Sequence, residues 1–319
     1  MKVGVFTGPQ KVTWPELRAA WLHADANGYD SAWTWDHLIA LHGDLDDPHY
    51  EGWTLLAALA ALTSHVQIGH LVTANTLRHP ALLAKMAATV DHVSNGRVVV
   101  GIGTGYYAEE HDRFGIPLPD KVTRAAMLRE SIQVLKGLWA PGRLTFAGEH
   151  YRITDAPASP KPVNGTIPLL LGGAGERMLR LTAQEAAIWN LPDGQYGIDL
   201  ERLQTKVEAL ERYCDEIGRD PAEIEKTMAL CLFVDSDAAA LQRRYAAFQA
   251  MVPWDEATTR RHVVIGTPDQ VVEQLQGFAD VGLDHFMLSL VPGVNYEDLQ
   301  IFTETCLKRV QAIEGRRAR

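Results

Sequence analysis

Five short stretches place reactive or ligand-binding side chains directly after apolar runs. "WTWDHL" sets Asp36 and His37 there, and "LVTANTLRHP" sets Thr73, Asn75, Arg78 and His79. "VGIGTGYYAEEH" carries Gly103, Thr104, Gly105, Tyr106, Tyr107, Glu109, Glu110 and His111. "LLLGGAGER" carries Gly172, Gly173, Ala174, Gly175 and Glu176, with Arg177 next, and "AIWNLPDG" carries Asn190. Each type has a chemistry. A histidine exchanges a proton near neutral pH, so His37 is a candidate acid or base; a cap or a packed ring is the alternative. Asp36 beside it can orient a ring or accept a hydrogen bond. Glycines at 172, 173 and 175 let a ligand approach the main chain. A helix opening there presents unpaired N–H groups and a positive dipole end, an anion site most natural for phosphate, or else a tight turn. "GIGTG" permits a flat ring system to lie against the backbone.

Other chemistries lack their residues. There is no HExxH, and Glu110 and His111 are adjacent rather than i, i+3 or i, i+4, so no metal site is expected. No GxSxG elbow, GxxxxGK[ST] loop or strand-end lysine for a Schiff base is present. A phosphate cradle and one histidine, without a strong nucleophile or a metal cage, call for an organic cofactor to supply the reactivity.

Strand-like and helix-like segments alternate along the whole chain. The strands expected are Val3–Phe6, Ser31–Trp35, Val66–Thr73, Arg97–Gly101, Leu169–Leu171, Ala187–Trp189, Met228–Val234 and His285–Leu290. Helices are expected over Trp14–Asn27, Trp53–Thr63, Ala81–Val93 and Arg124–Trp139, and near 176–186, 199–217, 237–250, 268–281 and 296–313. About eight βα units imply a parallel sheet. The first junction, "TGPQKVTW", carries no GxGxxG, and the glycine clusters come late, which favours an α/β (β/α)8 TIM barrel over a doubly wound sheet. In a barrel the five clusters converge on the rim formed by the strand C-termini. Two segments break the rhythm of this single 1–319 domain and read as insertions near the ligand face. One, near 140–167, contains a hairpin expected to turn at Ala147–Gly148; the other is Met251–Val263.

Composition narrows the class. Hydrophobic residues at 46% and charged residues at 22% are globular values. A net charge of −10 argues against a nucleic-acid or anionic-membrane partner, so an anionic ligand needs a local site. Cys214, Cys231 and Cys306 are widely spaced and read as reduced thiols. "MKVGVFTGPQ" enters a strand without a signal peptide, and "WTLLAALAALT" falls short of the ~20 residues of a membrane span, so a cytoplasmic protein is expected.

The stretches "WTWDHL", "LVTANTLRHPALLAKMAATVDHVSNGRVVVGIGTGYYAEEHDRFGIPLP", "FAGEHYRITDAPASPKPV" and "IPLLLGGAGERMLRLTAQEAAIWN" resemble the bacterial luciferase-like flavin and deazaflavin enzymes. They look most like the branch using the deazaflavin coenzyme F420. The resemblance covers most of the chain and is densest from Trp33 to Asn190. It implies a (β/α)8 barrel with insertions, a homodimer formed through early helices, and hydride transfer between cofactor and a small-molecule organic substrate. FMN, as in the monooxygenases, is the rival cofactor, and a non-catalytic flavin-binding barrel is the reading from a different class. The third strand is expected to bulge against the ring through a non-proline cis peptide, at His70–Leu71 or one residue further on. The resemblance places Asp36 and Thr73 on the ring, Thr73 and Asn75 at its polar edge, and Thr104 with Gly105 along the ribityl chain, with Gly103 among the cofactor-binding residues. Gly172 to Arg177 take the phosphate, while Arg78 and His79 position the loop and cap the helix. His37 matches the histidine that sugar-phosphate dehydrogenases of the family use beside the reacting carbon. Those enzymes carry a Glu directly after "GTG", where this chain has Tyr106, and that leaves the substrate open. Tyr106, Tyr107 and Asn190 are expected as substrate-pocket residues.

Overall fold

Apolar strands buried on both faces need helices on one side and each other on the other, and the chain satisfies this by closing a barrel. The computed structural model describes residues 1–41, 43–191, 199–252, 254–290 and 295–316. Its strands are β1 (Lys2–Phe6), β2 (Ser31–Asp36), β3 (Gln67–Ala74), β4 (Val98–Gly103), β5 (Arg143–Ala147), β6 (Arg152–Pro157), β7 (Leu169–Gly172), β8 (Ile188–Leu191), β9 (Glu225–Val234), β10 (Val263–Gly266) and β11 (His285–Ser289). The helices are α1 (Trp14–Ala26), α2 (Gly52–Leu62), α3 (Pro80–Ser94), α4 (Ala108–Phe114), α5 (Lys121–Trp139) and α6 (Glu176–Glu185). They continue with α7 (Leu200–Glu216), α8 (Ala238–Gln249), α9 (Glu256–Arg260), α10 (Pro268–Asp280), α11 (Tyr296–Thr305) and α12 (Leu307–Gln311).

Strands β1, β2, β3, β4, β7, β8, β9 and β11 form a closed parallel ring, the barrel expected from the alternation. β9 is long enough to pair twice on one edge. Its first residues pair with β8, from Ile188↔Glu225 to Leu191↔Met228, and its last pair with β10, from Val263↔Cys231 to Gly266↔Val234. β10 has no clear sequence signal because four residues beside an irregular charged stretch carry little periodicity. Likewise α4 and α9 are too short to show a helical stripe, and the final helix breaks at Cys306. Helix starts follow their caps. Thr13 with Glu16 and Thr267 with Gln270 form capping boxes, and Asp120 accepts from the N–H of Val122 and Thr123.

The barrel interior is filled by Trp33, Val99, Leu170, Ile188, Ala229 and Met287. Its N-terminal end is closed by a chain of buried polar groups. The Trp33 indole N–H donates to Ser31 Oγ at 2.7 Å, Ser31 Oγ lies 2.8 Å from His285 Nε2, and His285 Nδ1 lies 2.6 Å from Glu225 Oε1. The Glu225 carboxylate can only accept, so His285 Nδ1–H donates to it. Lys2 completes the row at 2.5 Å from Glu225 Oε2. Burial pushes the Glu225 carboxyl up, but His285 and Lys2 outweigh it and hold it down at about 2. Ser31 is fully buried, so this serine–histidine–glutamate row closes the barrel and offers no reagent access.

The 140–167 segment contains the expected hairpin, β5 against β6, with a longer connection than expected. Residues 148–151 link the strands, because the Glu130 carboxylate of α5 accepts the N–H groups of Glu149, His150 and Tyr151 at 2.7, 2.9 and 3.0 Å. This gathered turn carries Tyr151 to the C-terminal end of β3. The second insertion, in which Pro253 lies outside the described residues, holds α9 and a Trp254 ring stacked on His262 at 4.3 Å.

Candidate active site

The site begins with a bulge in β3. Register slips between Gly69 and Thr73 against β4, and between Thr34 and Asp36 against β2, and the Leu71–Val72 peptide is cis. That is the second of the two bonds expected. The displaced strand presses on its neighbour: a methyl group at Gly101 would sit 1.9 Å from the His70 carbonyl oxygen. Val72 turns inward, and methyl groups at Gly103 and Gly172 would meet it at 2.9 and 3.3 Å. The glycines of "GIGTG" therefore make room first for the bulge. Leu71 and Val72 remain partly exposed against the interior cluster as an apolar floor to the barrel mouth.

The other side of β3 faces α2. Asp36 is fully buried and takes Arg78 bidentately, at 2.5 and 2.9 Å, while Arg78 also bonds Glu51. Thr73 is fully buried too, its hydroxyl accepting the Trp53 indole N–H at 3.0 Å. The polar atoms of these two residues are thus engaged with α2 and Arg78. His70 packs against the Trp53 ring at 4.9 Å with both nitrogens unpartnered, and burial lowers its pKa and keeps it neutral. His79 caps α3, its Nδ1 accepting from the Ala81 N–H at 3.2 Å. Asn75 donates to the Tyr151 hydroxyl at 3.4 Å, and its buried Oδ1 has no partner.

His37 follows β2 at the rim. Its Nδ1 is 2.9 Å from Glu110 Oε1, and Glu110 Oε2 accepts the Leu38 N–H at 2.9 Å. The rings of Tyr106 and Tyr107 meet the imidazole nearly edge-on, at 5.6 and 5.9 Å. Burial pushes the Glu110 carboxyl up, but His37 and the Leu38 N–H bring it below the usual carboxylate range. Its place in the first turn of α4 also suits a negative charge. In sequence Glu110 reads only as an unsuitable metal ligand; its pairing with His37 spans 73 positions and leaves no local signal. The turn before α4 is pinned as well. His111 Nδ1 donates to the Tyr107 carbonyl at 2.8 Å and Nε2 takes the Thr76 hydroxyl at 2.7 Å. Gly105 is required there, with φ 78° and Thr76 Oγ1 2.3 Å from where a Cβ would stand. Nearby, His49 Nε2 accepts the Trp35 indole N–H at 3.0 Å, and burial pushes its pKa down to about 4.

At the β7–α6 corner, Gly173 has φ 143° and its carbonyl accepts the Trp189 indole N–H at 2.8 Å. Gly175 is the N-cap of α6, with no side-chain cap. Its φ of −74° suits any residue, and no atom lies within 4 Å of where a Cβ would stand. Glu176 and Arg177 are exposed, Ala174 is packed, and Thr104 is half-buried with its hydroxyl 3.4 Å from the Gly105 carbonyl. Asn190 donates to Thr227 Oγ1 at 3.0 Å and is nearly buried. Tyr106 is 65% exposed. Among the described residues joining each barrel strand to its next helix, Lys11 and Arg78 are the lysines and arginines, against seven carboxylates. Both are neutralised, Lys11 by Asp47 at 2.8 Å and Arg78 by Asp36. The rim therefore combines an apolar floor, one exchangeable proton at His37, and an uncapped helix start.

The sequence matches the family described as luciferase-like monooxygenase over residues 1–285. It is 29% identical over 310 residues to the F420-dependent glucose-6-phosphate dehydrogenase of Kineococcus radiotolerans, covering 90% of each. It is 32% identical over 265 residues to the pyrimidine monooxygenase RutA of Stutzerimonas stutzeri, covering 77% of this chain and 72% of that protein. The fold is shared with the coenzyme F420-dependent tetrahydromethanopterin reductase from Methanopyrus kandleri, with a TM-score of 0.80 at 20% identity over 97% of this chain and 99% of that one.

Proposed function

The chain belongs to the luciferase-like monooxygenase family of oxidoreductases, and within it we propose an F420-dependent enzyme that moves a hydride between the deazaflavin and an uncharged organic substrate. The observation carrying this reading is His37 at the barrel mouth, held by Glu110 and two tyrosine edges above an apolar floor. The residues present fit such a cofactor. Leu71 and Val72 would lie under the ring, and the unpartnered Asn75 Oδ1 would accept from a ring N–H. Thr104 and Gly105 would line the chain, and Gly172 to Arg177 would hold the phosphate where Gly175 leaves open space. When bound, the group supplies two-electron hydride chemistry that no side chain provides.

The protein's own part is to handle the proton. His37 Nε2 makes no hydrogen bond among the described residues and is the nitrogen left for the substrate. The F420-dependent relative covering 90% of the chain supports F420 over FMN. The neutralised cations of the rim, and Tyr106 where sugar-phosphate dehydrogenases carry a Glu, support an uncharged substrate over a phosphorylated one. Exposed Leu62, Leu82 and Val93 on α2 and α3 support a dimer through these helices.

The test is reconstitution with F420 or FMN, followed by absorbance against a panel of alcohols and reducible carbonyls. F420 binding with cofactor turnover is expected; tight FMN binding with substrate-dependent oxygen uptake refutes the reading. His37→Ala should keep cofactor affinity within several-fold and lower turnover at least about tenfold. Wild-type turnover in that variant would move the proton to Tyr106, Tyr107 or water.

A further inference from the structure

We propose that Glu110 is a positioning residue that fixes His37 in the tautomer carrying its proton on Nδ1, so that Nε2 meets the substrate as a proton acceptor. The argument is a count of donors and acceptors. Glu110 Oε2 accepts the Leu38 N–H, which cannot accept in return, and Oε1 faces His37 Nδ1, both at 2.9 Å. An ionised carboxylate is acceptor-only, so the hydrogen between Oε1 and Nδ1 belongs to the imidazole. The lowered pKa of Glu110 agrees with the ionised form.

The ring cannot exchange its two nitrogens freely. Tyr106 and Tyr107 meet it edge-on at 80° and 86°, and it is only 6% exposed. Among the described residues the titratable groups around it are Glu110 and His111 on α4, Tyr106 and Tyr107 before that helix, His49 from the β2–α2 segment, and the neighbouring Asp36. Of these only Glu110 bonds the ring, and its carboxylate can only accept.

The tautomer sets the resting state as a base, and this consequence rests on the function proposed above. In the oxidative direction an alcohol O–H gives its proton to Nε2, the C–H bond delivers its electron pair as hydride to the cofactor, and the C=O bond forms. The substrate class is then a primary or secondary alcohol, or the carbonyl compound in reverse, where the doubly protonated ring returns the proton.

The test needs neither cofactor nor substrate. In long-range 1H–15N spectra of uniformly labelled protein near pH 8, His37 should show a protonated Nδ1 and an unprotonated Nε2. Glu110→Gln can donate its amide hydrogen to Nδ1 and should shift the ring towards the Nε2–H form. In the F420-loaded enzyme the same variant should lower kcat at least about tenfold, since an acceptor histidine in the wrong tautomer loses up to ~10⁴-fold. Cofactor Kd should stay within about twofold. A wild-type ring protonated at Nε2, or an unchanged tautomer in Glu110→Gln, overturns the proposal. If Glu110→Gln does not fold, the wild-type spectrum decides alone. A wrong cofactor assignment would leave these spectra untouched, so the two failures are distinguishable.

Discussion

Gly175→Asp separates folding from ligand binding because the two effects carry opposite signs. In the protein alone the substitution is benign: φ −74° and ψ 152° suit an aspartate, and nothing lies within 4 Å of the added Cβ. Aspartate is also a better N-cap than glycine by a few tenths of a kcal/mol. Thermal stability should therefore hold or rise slightly. For a phosphate at the same helix start, the carboxylate competes for the free N–H groups and repels the ligand. Two like charges about 4 Å apart cost between about 1 kcal/mol at the dielectric of water and about 4 kcal/mol at an effective value near 20. That range corresponds to a loss of affinity from about fivefold to about a thousandfold. Gly175→Asn caps the helix comparably without charge, so the difference between the two variants isolates the electrostatic part. Fluorescence titration with F420, alongside a thermal melt, reads both quantities. A Gly175→Asp protein that melts normally and binds within twofold of wild type refutes the phosphate position. A melt lowered by several degrees refutes the open-space argument.

Gly101→Ala puts its methyl 1.9 Å from a backbone oxygen, so it should destabilise by at least about 1–3 kcal/mol; an unshifted denaturant midpoint counts against the bulge geometry. Arg78→Met strips the partner from the fully buried Asp36 and should destabilise by about 3–5 kcal/mol, read from the same titration. Glu225 sits at about 2 in the folded protein against its ordinary 4.5, so its stabilising contribution is present above pH 4.5 and is lost as pH falls towards 2. Glu225→Gln should lower stability at neutral pH and flatten the decline over that window; identical acid-unfolding curves for variant and wild type would exclude this role.

The sequence alone determined the barrel. Eight apolar runs, each followed by a helical stripe, imply a parallel sheet, and the absent GxGxxG at the first junction with the late glycine clusters favours closing it into the ring that is found. It also determined where polar residues gather, since a side chain after a barrel strand must lie at one rim. The Gly175 corner was legible because a glycine cluster opening a helix is a local pattern. What local pattern cannot carry is which side chain answers which across the barrel. Asp36 and Thr73 share the rim with His37, yet they turn to the α2 side, where Arg78 takes the carboxylate and the Trp53 indole N–H donates to the hydroxyl. Glu110 reaches His37 because a seven-residue helix, too short to be periodic, sets it there. Gly101 answers to a carbonyl on a neighbouring strand, a contact with no signature in its own stretch. Secondary structure follows from spacing along the chain, whereas these pairings follow from strand register and helix placement, which only closure of the barrel fixes.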